Sequence, residues 1–179
     1  MAVVTDRKEQ CQEVIEEYLA GAKLCIEATK SDGGILGYAA ALLLLCATDA
    51  IGHASLSDNG QNTRLDILTV PPFSLGIGPA HIHNLTKWYR NLLAHTGTMQ
   101  AGTNLSPETH GPAFDFDAKD ALIVLRVPAF YSTVRTAWDA IDKTTLAPPP
   151  PRNGVPPPDP TARQNTLVSS LSQPASGVV

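Results

Sequence analysis

Arg90, Asn91 and His95 fall within six positions of one another in "YRNLLAHTG" (89–97), at the end of an apolar-patterned segment. A histidine titrates near neutrality and can take or give a proton. An arginine presents a rigid fork of donors to an oxyanion. An asparagine amide can orient either group or bond a phosphate oxygen. Helical residues advance about 100° each, so Asn91 and His95 share a face, while Arg90 and His95 lie about 140° apart on an ideal helix. They converge only if the helix departs from ideal geometry near Ala94, or if a second subunit supplies one of them. The bland reading is a polar helix end, where positive charge is favoured by the macrodipole and Asn91 has no task.

The elements that must position this triplet follow from periodicity. Thr5 to Thr29 reads as a first helix, capped by Thr5, with Asp6 and Glu9 in its first turn. Cys11, Val14, Ile15, Tyr18, Ala22 and Cys25 recur at three- and four-residue spacing and predict one buried stripe. "KSDGGILG" is a turn. A second helix, Ile35 to His53, is apolar nearly all round and should be central. A long connection, 54–78, contains "TRLDILTV", a short strand or helical turn. The third helix opens at Pro79 and carries the triplet, with Ile82, Leu85, Tyr89, Leu92 and Leu93 on its apolar stripe. After an irregular stretch, "DALIVLRV" reads as a strand and Pro128 opens a fourth helix with a core face of Phe130, Val134, Ala137, Trp138 and Ile141. The alternation of "FDFD" suits a strand with one wet face.

A second stripe on the third helix, His81, Asn84, Trp88, Asn91 and His95, lies beside the apolar one. Such a stripe calls for a second neighbour, a partner subunit or a ligand. It predicts a homodimer that uses this helix.

Composition limits the function classes. From Pro148 on, the chain holds 9 of its 15 prolines and no aromatic residue, which predicts a disordered, Pro-rich tail over 148–179 and a folded body over 1–147. The net charge is −4. A broad basic surface for nucleic acid is therefore not expected, which leaves room only for a small local phosphate site. Cys11, Cys25 and Cys46 sit in apolar patterns without CxxC spacing, as expected of reduced, buried thiols in the cytoplasm. The run "GYAAALLLLCA" is too short to cross a bilayer and reads as a core helix. No membrane association, cofactor or metal is expected. His81 and His83, two apart on a helix, point away from each other, and His110 is in a loop.

"RNLLAH" fits the Arg-polar-x-x-x-His signature of the HEPN superfamily, and the order of helices over roughly 5–145 resembles those domains. The resemblance implies an all-α fold. The expected architecture is a four-helix up-and-down bundle, here with one or two short strands between the third and fourth helices. Catalytic HEPN domains are metal-independent endoribonucleases whose motif helices meet across a dimer. Carried onto this chain, the matching residues are Arg90, Asn91 and His95. His95 would take the 2′-OH proton of a single-stranded RNA, and Arg90 would hold the phosphoryl charge. The resemblance also implies a toxin or defence effector with an inhibitory protein partner. The alternative is a non-catalytic HEPN-like helical dimer that binds nucleotides or a protein.

Three other expectations concern single residues. Asp49, in an apolar helix, needs a partner. It either supports the motif by pairing with Arg90 or His95, or it ends its helix in solvent or against His53. Arg64 and Asp66 lie in the long connection, from which they could reach a cleft, with nothing to single them out. Trp88 either stacks on a base or packs at an interface.

Overall fold

The computed structural model describes residues 6–57, 63–90 and 101–148, with side chains at 88–90 excepted. The chain divides into two units, Met1–Pro149 and Pro150–Val179, and every described element belongs to the first. That unit is mainly helical with one small sheet.

Helix α1 (Arg7–Glu27) begins where Asp6, in an extended conformation, accepts the Lys8 N–H at 2.8 Å. The cap is thus Asp6, one residue after the predicted Thr5, which lies outside the described residues. Ile15, Leu19 and Ala22 are its buried positions, with Cys11, Tyr18 and Cys25 half-buried beside them. Leu19, four residues after Ile15, belongs to the stripe although the predicted set omits it. All three cysteines are free and half-buried rather than fully enclosed, and burial pushes the Cys11 thiol up.

A tight turn, closed by a bridge between Thr29 and Ile35, reverses the chain into helix α2 (Gly37–Ser55). Gly33 takes φ +79° there, which a residue with a Cβ rarely adopts. Helix α2 packs against α1 and against the last helix, and 11 of its 19 residues are buried, as expected of an element apolar on every side. At 19 residues it has the length predicted for it and, by length and composition, could cross a membrane, but most of it is buried inside the unit.

The long connection is ordered by α2. Leu65, Ile67 and Leu68, in a single 3-10 turn (Leu65–Thr69), are buried against it. Helix α3 then starts with Pro79 at its first position, runs as an α-helix to Asn84, and widens into a π-helical turn over Leu85–Arg90. Three strands follow, not one or two. They are β1 (Asn104–Ser106), β2 (Phe114–Phe116) and β3 (Leu122–Arg126), in the order β1-β3-β2. Strand β1 pairs parallel to β3 and β2 antiparallel, with a register shift between Asp115 and Phe116. Phe114 meets Phe130 of helix α4 (Val127–Ala140) at 4.7 Å between ring centroids, which joins the sheet to the helical core.

Helix α4 buries Phe130, Val134, Ala137 and Trp138, while Ile141 falls just past its end and is half-buried. It is clasped to α1 by charge. Arg135 donates to both oxygens of Glu16, at 2.6 and 3.2 Å, and is paired with Asp139 one turn on. The buried Trp138 donates its indole N–H to Glu16 at 2.7 Å. The Arg135 bond, with help from Trp138, holds the Glu16 carboxyl below the usual carboxylate range. A depressed carboxylate stabilises the fold above its unfolded pKa of about 4.3 and stops doing so as pH falls through the lower folded value. Half of the Glu16 side chain is exposed, so screening limits its contribution to about 1 kcal/mol. Glu16→Gln should therefore be less stable than wild type at pH 7. That difference should close on acidification below about pH 4. Urea titrations across pH 2–7 test this, and a difference independent of pH would rule out the ionic clasp.

Candidate active site

Arg90 is the last residue of the π turn of α3, while Asn91 and His95 lie outside the described residues. Successive residues in a π-helix close hydrogen bonds five apart instead of four. The turn sets how Arg90 is rotated relative to His81 and Asn84, while its separation from His95 falls on residues outside those described. Leu85, the first residue of the turn, is fully buried, and the turn packs on α2.

Asp49 is on α2, in the core-facing half, and only 6 % of it is exposed. Solvation is thus not what satisfies it. Its carboxylate accepts the Arg64 N–H at 2.6 Å, and His53, one turn on, brings Nε2 to 3.7 Å from the same oxygen. Asp49 takes part in further interactions besides these. The Arg64 side chain is itself buried. Its guanidinium grips Asp66 through two nitrogens, at 3.1 and 3.3 Å, and donates to the Ser57 carbonyl. A buried arginine with these donors satisfied is a structural tie. The Arg64 side chain hence ties the long connection to itself through Asp66 and Ser57, and its backbone N–H anchors that connection to α2 at Asp49.

Sequence reasoning passed over Arg64. Its only local signal is the polar-to-apolar change at "TRLDIL", beside an acidic residue two positions on. The partner that gives it meaning, Asp49, is 15 residues away.

The second stripe of α3 has a different neighbour from the one expected. His81 Nδ1 accepts the Gly78 N–H at 3.1 Å, and Nε2 faces the Asp120 carboxylate at 2.9 Å. Nε2 is then the nitrogen that carries the hydrogen. The ring stacks on Phe116 at 4.0 Å. Asn84 donates to the Asp120 carbonyl at 2.8 Å. Two of the five stripe residues thus meet the β2–β3 turn of the same chain, where a partner subunit or a ligand was expected as their neighbour. Trp88, Asn91 and His95 lie where no side chain is described.

Among the described residues, no group of three or more His, Cys, Asp or Glu is placed to hold a metal ion. Asp115, expected on a wet strand face, pairs with Arg126 at 2.7 Å, and Arg126 also reaches Glu108 at 3.0 Å, which pins the 107–113 loop to the sheet. No protein family, curated protein or solved structure matches the chain.

Proposed function

We propose that the chain is a HEPN-type, metal-independent endoribonuclease that cleaves single-stranded RNA, with Arg90 and His95 as its catalytic residues and Asn91 as an orienting group. In this reading the four helices form the up-and-down bundle of that superfamily, and the three strands are an insertion between its third and fourth helices. The observation that carries it is the placement of Arg90. It lies in a π turn that packs on the central apolar helix, a geometry that recurs at functional sites. The acidic net charge suits a local site over an extended nucleic-acid surface.

His95 acts as the base that takes the 2′-OH proton. Arg90 stabilises the charge that builds on the phosphoryl oxygens. The leaving group is the 5′ oxygen, and the products are a 2′,3′-cyclic phosphate and a 5′-hydroxyl. Because Arg90 and His95 converge poorly on one ideal helix, the cleft is completed across a homodimer. Asp49 supports the site at one remove, by fixing the connection against α2. In cells such an activity needs an inhibitory protein partner.

The deciding experiment incubates the purified full-length protein with mixed single-stranded RNA in EDTA and resolves the product ends. Cyclic-phosphate products support the reading. An inert protein that is still dimeric supports a non-catalytic helical dimer that binds nucleotides or a protein instead.

Assembly gives an independent check. Sedimentation at micromolar concentration should return twice the chain mass of 19.0 kDa. A clean monomer removes the shared cleft and with it the main route by which Arg90 and His95 meet.

A further inference from the structure

The α-helical part of α3 reaches the core through a half-buried Ile82. It is six residues long, and none of Pro79–Asn84 is fully buried. A helix that short does not hold itself in water. Its polar face is held by the β2–β3 turn. Asp117 builds that turn, since its carboxylate accepts the N–H groups of Lys119 and Ala121 at 2.8 and 2.9 Å. Those two bonds keep the Asp117 carboxyl below its ordinary range. The turn places Asp120 at φ +61°, a left-handed conformation that Asp tolerates better than most residues. From there Asp120 offers its carboxylate to His81 and its carbonyl to Asn84, which are three positions apart and neighbours on one helix face. The next residue, Leu85, is buried in the core and opens the π turn that ends at Arg90. Helix α3 is therefore fixed on two sides, by the sheet through Asn84 and by the core through Leu85, at the point where its geometry changes.

We propose that His81 and Asn84 are positioning residues for Arg90, which act through Asp120 to set the rotation of α3 about its axis. The inserted sheet is then a brace for the motif helix. The kinetic consequence rests on the RNA-cleavage reading, whereas the structural one does not.

Two substitutions at one position separate the carboxylate from the turn. Asp120→Gly removes the carboxylate and adopts φ +61° freely, and Asp120→Asn keeps an acceptor for His81 Nε2. Amide hydrogen exchange over 85–90 and steady-state RNA cleavage are measured on both. In Asp120→Gly, exchange over 85–90 should rise by about tenfold. The kcat should fall roughly ten- to a hundredfold with KM within about twofold, since misplacement by about 1 Å costs on that order. Asp120→Asn should restore both. Asn84→Ala, which leaves the turn intact, repeats the test from the helix side and should match Asp120→Gly in direction. Exchange at wild-type level in Asp120→Gly and Asn84→Ala overturns the brace. Raised exchange with wild-type kcat in an active enzyme overturns the positioning role. If wild type cuts no RNA, the nuclease reading fails by itself. Exchange then decides the brace, which stands if exchange is raised in Asp120→Gly and restored in Asp120→Asn.

Discussion

Gly52→Ala is expected to lower the thermal midpoint by roughly 10 °C, against the usual direction for such a change. Alanine is worth about 1 kcal/mol more than glycine in a helix interior, and Gly52 is inside α2. But a Cβ at this position would fall 2.2 Å from the Arg64 carbonyl oxygen and 2.7 Å from the Arg64 Cβ. The first of these is backbone and cannot swing aside. It is also held from below, because the Arg64 N–H is bound to Asp49 and the next turn buries Leu65, Ile67 and Leu68. Relief requires the whole tie to move off α2, with loss of both the buried hydrogen bond and the packing of that turn. Overpacking of this kind costs about 3 kcal/mol or more, which exceeds the helix gain. A net loss of about 2–4 kcal/mol in a domain of this size corresponds to the stated shift. Gly21→Ala is the control. Its Cβ would meet only the Leu43 Cδ1 at 3.1 Å, the end of a flexible side chain, so helix propensity should decide and the midpoint should hold or rise. Equal midpoints for the two variants in a melting experiment would mean that Arg64 does not approach α2 this closely in solution.

The long helices were legible because each has a continuous apolar stripe or, in α2, an apolar surface all round. Phe130, Val134, Ala137 and Trp138 are buried as their three- and four-residue spacing predicts. Strand β3 was legible from its β-branched run. Strand β1 was not, because "NLS" is three residues long and acquires its meaning only by pairing with β3 about 20 positions on. The break at Leu85 was hidden for another reason. "LTKWYR" has no proline or glycine, and nothing in its composition separates a π turn from an α turn. The Asp49–Arg64 and His81–Asp120 contacts span 15 and 39 residues, distances at which local pattern carries no information. Periodicity did show that His81 and Asn84 have a neighbour. It could not show that the neighbour is a turn of the same chain, since a polar stripe looks alike whether it meets a subunit or a sheet.

His95→Ala is expected to abolish RNA cleavage, and Arg90→Lys to remove most of it, in each case with the fold intact. A general base contributes about 10²–10⁴-fold, and loss of a donor to a developing oxyanion costs about 10²–10³-fold. Lysine keeps the charge of Arg90 but replaces a planar fork by a point charge, so it can neutralise one phosphoryl oxygen without bridging two. A histidine at a helix end contributes at most about 2 kcal/mol to stability, so the melting curve of His95→Ala should stay close to that of wild type. The wild-type rate should rise with pH near neutrality, because a histidine base must be neutral to accept the proton. DNA of the same sequence should resist, since it lacks the 2′-hydroxyl nucleophile. These outcomes are read from initial rates on a labelled single-stranded RNA in EDTA, with circular dichroism to confirm folding. Cleavage that appears only on addition of magnesium, or that His95→Ala performs at the wild-type rate, would sink the mechanism. Full activity in Arg90→Lys would leave His95 as the base but show that the phosphoryl charge is held by another group.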